Sequence, residues 1–329
     1  MRASRLLVVL LLVLLLVPAG GLTVARFAEP DGARWVRLVS FTPFAIPLYA
    51  VAAVLLIGLA WKARGPVRWL SRLLLVGAVV ALSMHAYVAS GPYVGGSAAA
   101  AQTGTSVRVM TANLGHGEAD PARVMGVAVG NDVDLLVLQE VTPAALGALA
   151  SAGLDQAFPF HAGEPGEGTI GPMVFSTTEV TDASRLDTTY GSWSVRTSLA
   201  DQEVELLAVH PHAPVGDAVA WRQDHQAVLR AAAELGAKAL VVGDFNATMD
   251  HRPMRALVGR GLSDAATEAN AGWQPTWPSE GEVGVLGFDV PSLLPIDHVL
   301  VGAEIRATRT ESVTIPGTDH RALVATLVL

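Results

Sequence analysis

Three long apolar stretches fill most of the first 90 residues: Leu6 to Ala25, Phe41 to Trp61 and Leu70 to Ser90. Each is close to the roughly 20 residues needed to cross a bilayer, and together they predict three transmembrane helices. Composition agrees, because 51% hydrophobic and 16% charged residues over 329 positions is too apolar for one ordinary soluble domain. The first stretch follows Arg2 and Arg5 and ends near Pro18-Ala19-Gly20-Gly21, so it also fits a signal peptide. Two further spans would still anchor the chain.

Basic residues set the expected orientation. Arg2 and Arg5 precede the first span, and Lys62, Arg64, Arg68 and Arg72 crowd the short connection between the second and third. Both groups should face the cytoplasm. Arg26, Arg34 and Arg37 weaken the contrast, but Glu29 and Asp31 accompany them, and no basic residue follows the third span until Arg108. The second half is therefore expected outside the cytoplasm, at a cell membrane crossed several times.

Residues 91–105 are small, uncharged and turn-prone, which reads as a flexible linker between a membrane anchor over 1–90 and a folded domain over 106–329. In that domain, Val- and Leu-rich runs predict strands at Val107–Leu114, Val133–Val141, Met173–Ser176, Val204–His210, Ala239–Asn246, Ile296–Gly302 and Ala322–Leu329. Helical patterns cover Pro121–Gly130, Pro143–Ala150 and Gly216–Gly236. The domain is thus mixed and large enough for a two-layered sheet core. Formal net charge is −8 and no Lys/Arg-rich run lies in the second half, so long nucleic acid is a poor substrate choice. Cysteine is absent, which excludes disulfides, thiolate metal sites and cysteine nucleophiles.

Polar residues at the ends of apolar strands carry the chemistry, since a strand end fixes position and leaves the side chain at the rim of the core. They are Thr111-Ala112-Asn113-Leu114, Leu138-Gln139-Glu140, Val209-His210-Pro211, Gly243-Asp244-Phe245-Asn246, Ile296-Asp297-His298 and Thr318-Asp319-His320. Carboxylate and amide oxygens such as those of Glu140 and Asn113 suit a hard divalent cation, which also keeps waters and substrate phosphate around it. Asp244 and Asn246, two apart at a strand end, should point to one side while Phe245 enters the core.

This ordered set resembles the endonuclease/exonuclease/phosphatase superfamily and spans residues 106 to 329. The resemblance implies an α+β fold: a four-layered sandwich of two packed mixed β-sheets flanked by helices, here preceded by the three transmembrane helices. It implies a metal-dependent phosphoesterase using Mg²⁺, with Mn²⁺ as the alternative, at Asn113, Glu140 and Asp319. By the same resemblance His320 is the general base and Asp297 fixes its tautomer. Asp244 orients the attacking water, Asn246 binds a phosphoryl oxygen and His210 donates to the phosphate. His212 competes for that last role.

Asn113 is followed by Leu114, Gly115 and His116, without the second acidic ligand many nucleases of the family carry, so one metal is expected. His116, His161, His225, His251 and His298 read as solvated or helix-surface histidines. Trp273 and Trp277 read equally as an aromatic rim or as loop packing. Membrane anchoring favours a phosphate, pyrophosphate or phosphodiester substrate linked to lipid, such as a polyprenyl pyrophosphate or a phospholipid. An extracellular nuclease is the second enzymatic reading. A catalytically inactive binding module is the third, but Glu140, Asp244, Asp297 and His320 are all retained.

Overall fold

In the computed structural model, which describes residues 2–96, 104–281, 284–285 and 288–329, the chain divides into two units, Met1–Gly91 and Pro92–Leu329. The first unit holds α1 (Arg2–Phe27), α2 (Ala33–Val39), a 3-10 turn (Thr42–Phe44), α3 (Ala45–Lys62) and α4 (Gly65–Ala89). Three segments are long and apolar enough to cross a membrane: Leu6–Phe27, Thr42–Lys62 and Gly65–Ala89, of 22, 21 and 25 residues. α2 escaped the hydropathy pattern because Arg34 and Arg37 interrupt its apolar run.

Packing in this unit places small residues inside. Ala19, Ala45, Ala52 and Ala78 are buried with Leu12, Leu22 and Leu56, which lets helix backbones approach closely. Leu14, Val54 and Leu73 face outward, each about 70% exposed. A polar trio lies within: Thr23 Oγ1 is 2.8 Å from the Tyr49 hydroxyl and 3.0 Å from His85 Nε2.

The second unit opens with residues of the expected linker. The short helix α5 (Gly91–Val94) reaches into it. The Pro92 carbonyl accepts from Gly272 N at 2.9 Å, and Gly96 N donates to Asn270 Oδ1 at 2.9 Å. Residues 97–103 of that linker lie outside the described residues.

β1 (Ser106–Asn113) crosses through α6 (Pro121–Gly130) to β2 (Leu135–Gln139), parallel to it. α7 (Pro143–Ser151) and α8 (Leu154–Ala157) lead to β3 (Phe160–Gly163) and β4 (Met173–Ser176). The chain then builds a second sheet from β5 (Val180–Leu186), β6 (Ser192–Leu199) and β7 (Gln202–Val209), with α9 (Ala218–Ala232) crossing to the parallel strand β8 (Ala239–Asp244). α10 (Arg252–Val258), β9 (Ser263–Asp264), α11 (Ala265–Glu268), a small hairpin of β10 (Gly284–Val285) and β11 (Phe288–Asp289), and β12 (Asp297–Val301) follow. β13 (Arg306–Thr314) and β14 (Arg321–Val328) return to the first sheet. Strand order is β13-β14-β1-β2-β4-β3 in one six-stranded sheet and β5-β6-β7-β8-β12-β9 in the other.

The central strands are apolar on both faces because both are covered, as the continuous runs in the sequence require. Val109, Val137, Leu206, Val242, Val299 and Ala325 fill the space between the sheets. Met110, Leu136 and Leu138 instead meet Val124 and Val127 of α6 and Leu149 of α7 on the outside. The helices start where their sequences say they should. Asp120 caps α6 ahead of Pro121, Thr142 caps α7 ahead of Pro143, and Asp217 caps α9. Helix, sheet, sheet and helix give the four expected layers. Seven strands among the described residues were not foreseen: β9, β10 and β11 are two residues each, and β3, β5, β6 and β13 mix polar and buried positions and so show no apolar run.

Candidate active site

Topology brings the six polar strand ends to one edge of the sandwich. β1 and β2 are parallel, so Asn113 and Gln139 are paired neighbours at their carboxyl ends, with Glu140 next. β7 and β8 are parallel in the other sheet, so His210 follows Val209 beside Gly243. β12 runs antiparallel to β8 and starts with Asp297 opposite Asp244. β14 runs antiparallel to β1, so His320 precedes it near the end of β1. Gly243 explains its own place in the Gly-Asp-Phe-Asn motif: its φ is +147°, and a Cβ there would lie 2.0 Å from the Val209 carbonyl.

Six of the eight expected residues are joined side chain to side chain in one cluster. The Asn113 amide nitrogen donates to Glu140 Oε1 at 3.2 Å and to Asp244 Oδ2 at 3.1 Å. His210 Nε2 lies 3.8 Å from Glu140 Oε1 and 3.6 Å from Asp244 Oδ2. His320 Nδ1 sits 2.9 Å from Asp297 Oδ2, with its Nε2 3.7 Å from Asp244 Oδ2. The other two are linked less directly. Asn246 donates its backbone N–H to Asp244 Oδ1 at 2.7 Å and its side-chain amide to the Pro211 carbonyl at 3.1 Å. Asp319 accepts from the Trp277 indole at 2.9 Å.

Burial and crowded carboxylates set the charges. Asp244 is pushed up to about 7 by burial and by the negative charge of Asp297. Burial would lower His320, but the charges of Asp297 and Asp244 outweigh it and raise the imidazole to about 10. His210 is lowered to about 3 by burial, reinforced by His320 and His212. At neutral pH the site therefore pairs a cationic His320 with a neutral His210.

Oxygen donors suited to a hard cation converge here. The Glu140 and Asp244 carboxylates meet at the Asn113 amide nitrogen, the Asn113 amide oxygen accepts from Gly115 N at 2.9 Å, and Asp297 Oδ1 is buried without a hydrogen-bond partner. Asp244, Asp297 and His320 each offer a ligand atom within 4.8 Å of the others. In that trio the imidazole Nδ1 is already engaged by Asp297, and the Glu140 oxygens accept from the Asn113 amide and the His116 N–H.

Several contributors were not foreseen. Thr276 Oγ1 accepts from the Ile296 and Asp297 N–H groups at 3.1 and 3.2 Å, fixing the start of β12. Thr318 Oγ1 donates to the Asn113 carbonyl at 2.9 Å and accepts from His320 N at 3.2 Å, tying β14 to β1. Tyr190 stacks on His212 with centroids 4.6 Å apart and lies 5.0 Å from the His210 ring. Asp224 gathers Thr189 N and His212 N beneath it. Single hydroxyls and rings in loops leave no periodic trace, although Thr276 and Thr318 both adjoin motif residues.

The histidine expectations need correction. His225, His251 and His298 are buried, not solvated or on a helix surface, because α9 turns His225 inward and β12 points His298 to the face opposite Asp297. His116 belongs at the site: its backbone N–H donates to Glu140 Oε2 at 2.5 Å, and its ring Nε2 is 3.6 Å from the same oxygen. Trp277 is more than loop packing, since its indole holds Asp319.

Two face-to-face mixed sheets with a carboxylate–imidazole cluster on one edge define a phosphoesterase sandwich. The family pattern matches residues 110–320, and the chain belongs to the endonuclease/exonuclease/phosphatase family. Enzymes of the family hydrolyse phosphoester bonds and depend on a divalent metal. No curated protein matches this chain in sequence. Among solved structures, zebrafish (D. rerio) TDP2 complexed with a single-strand DNA product is 15% identical at a TM-score of 0.56, over 68% of this chain and 100% of that one. An endonuclease/exonuclease/phosphatase family protein from Bacteroides thetaiotaomicron is 17% identical at 0.51, over 69% and 99%. One from Bacteroides vulgatus is 18% identical at 0.52, over 68% and 99%. At these identities the likeness is one of fold.

Proposed function

We propose that residues 106–329 form a membrane-anchored phosphoesterase that hydrolyses a phosphate, pyrophosphate or phosphodiester bond of a lipid-linked substrate outside the cytoplasm. The observation that carries the reading is the meeting of the Glu140 and Asp244 carboxylates at the Asn113 amide nitrogen, with His210 and His320 within 3.8 Å of those carboxylates. Asn113 and Glu140 would hold the divalent cation, Mg²⁺ by donor type, with Asp319 completing the set. Bound there, the cation would neutralise phosphate charge.

The chain's own groups supply the rest. Asp244, raised toward neutrality and hydrogen-bonded through Oδ1 to Asn246 N, is placed to take the proton of the attacking water. His320 is already protonated at neutral pH, which suits a charged donor to a phosphoryl oxygen better than the base expected from the resemblance. Asp297 keeps it so. His210, neutral and buried, donates a hydrogen bond without adding charge.

Support for the membrane setting is the set of three long apolar helices and the basic cluster at the turn that joins the last two, with Lys62 ending α3, Arg64 in the connection and Arg68 and Arg72 in the first turns of α4, which favours the cytoplasmic side. An anchor keeps the site at high effective concentration over a lipid-borne substrate.

The test is full-length protein in nanodiscs with Mg²⁺, assayed on a polyprenyl pyrophosphate, a phospholipid and single-stranded DNA. Turnover of one of the lipids, abolished by EDTA and restored by Mg²⁺, is the expected result. Turnover of DNA alone would replace lipid by nucleic acid, and a rate indifferent to EDTA would end the metal assignment. A reporter fused after Leu329 should be active only outside the cytoplasm.

A further inference from the structure

The loop that carries Asp244 and Asn246 is held from behind by three buried ring N–H groups, one to each of three consecutive carbonyls. The Phe245 carbonyl accepts from His225 Nε2, the Asn246 carbonyl from Trp221 Nε1, and the Ala247 carbonyl from His298 Nε2, each at 3.0 Å. Trp221, His225 and His298 are all at most 3% exposed, so the bonds are shielded from water. Two donors stand on α9 at positions i and i+4, which share one helix face, and their rings meet edge-on with centroids 4.5 Å apart. The third stands on β12, next to Asp297 and on the opposite face of the strand.

A carbonyl oxygen only accepts, so each ring nitrogen must carry a proton. His225 is thereby fixed as its Nε2–H tautomer, and its other nitrogen is buried without a partner. In His298 the second nitrogen lies 3.2 Å from Asp264 Oδ1, a carboxylate contact that favours a proton on that nitrogen too. Asp264 itself is tied to the backbone, where it caps α11 through Thr267 N. The three donors therefore rest on rigid elements.

What they hold is a conformation the loop does not favour by itself. Asn246 has φ +48°, in the left-handed region, although it is not glycine. Its side-chain amide reaches Pro211, and its N–H reaches Asp244 Oδ1, only from that turn. We infer that Trp221, His225 and His298 are positioning residues, a row of ring donors that sets the aim of Asp244 and Asn246 without touching substrate. The inference rests on the proposed hydrolase reading for its kinetic consequence, but not for its structural one.

The test uses full-length protein in nanodiscs with Mg²⁺ and bis(p-nitrophenyl) phosphate as probe. Trp221→Phe keeps the ring and deletes one donor, and should lower kcat about tenfold or more with KM unchanged. His225→Gln, whose amide can still donate, should retain several times the kcat of His225→Leu. A readout independent of turnover is the side-chain amide resonance of Asn246 in ¹⁵N-labelled protein, which should shift or broaden in Trp221→Phe. If Trp221→Phe and His225→Leu lower only the melting temperature, with kcat within twofold and the Asn246 resonance unmoved, the inference is overturned. If the wild type turns over nothing yet the Asn246 resonance still responds to Trp221→Phe, the hydrolase reading fails and the positioning role stands. An unmoved resonance in an inactive protein overturns both.

Discussion

The two units of this chain sort the same residue types in opposite directions. In Met1–Gly91 the large aliphatics face outward and small or polar residues face in, with Thr23, Tyr49 and His85 hydrogen-bonded in the interior. In Pro92–Leu329 Val and Leu fill both layers around the sheets, and polar residues gather on one edge. A solvent that wets apolar side chains favours the first arrangement and water favours the second. The contrast teaches that the position of polar groups means different things in the two units. In the helices they are partners in a dry interior, and in the sandwich they mark where chemistry is done.

The largest expected effect lies at the edge of the sandwich. His320→Asn should reduce kcat by about 10²–10⁴-fold, the usual contribution of a positioned proton-bearing group, read as turnover of bis(p-nitrophenyl) phosphate. A loss below threefold would mean the polar edge is not the reacting one. Next comes a matched pair of exposed valines, Val54 at 68% in α3 and Val215 at 72% in the catalytic unit. Val54→Lys should cost about 2.5–3.5 kcal/mol of membrane insertion, whereas Val215→Lys should stay within about 0.5 kcal/mol. Insertion assays and thermal melts measure the two, and equal small effects would break the comparison outright.

A smaller effect concerns pH. Burial would lower His298, but its bond to Asp264 outweighs this and holds its proton affinity above the ordinary value of 6.5. The stability gained from that proton is fully present below about pH 6.5 and is lost as pH rises through the raised value. One proton can contribute a slope of at most about 1.4 kcal/mol per pH unit. Melting curves of wild type and His298→Gln should converge as pH rises, and parallel curves would remove the ion pair from consideration. A change nearly as small as that of Val215→Lys is expected in the first unit, where Thr23→Val should cost about 0.6 kcal/mol, typical of hydrogen bonds between helices in lipid. Detergent-resistant folding assays would detect it, and a loss of several kcal/mol would make that trio more than an interior bond.

Much of the fold and most of the site could be read in the residues themselves. The three long apolar helices and the central strands β1, β2, β7, β8, β12 and β14 were legible because each carries an unbroken apolar run, which in the strands follows from burial on two sides. Strands β5 and β13 were not, since Asp182, Ser184, Arg309 and Glu311 face solvent. Asn113, Glu140, His210, Asp244, Asp297 and His320 stood out as polar residues at the ends of those runs. The parts played by Thr276, Thr318 and the buried His225 and His298 did not, although Thr318 and His298 lie inside the motifs, because those parts come from atoms far away in sequence. His298 Nε2 meets a carbonyl 51 residues distant, and Thr318 Oγ1 meets one 205 residues distant.

Neither sheet owns the catalytic edge. Asn113 and Glu140 come from one, His210, Asp244 and Asp297 from the other, and His320 arrives with β14, the last strand in the chain. Turnover thus serves as a gauge of the sandwich's closure: synthesis must pass His320 and β14 before the edge is complete, and peeling one layer from the other should extinguish activity all at once.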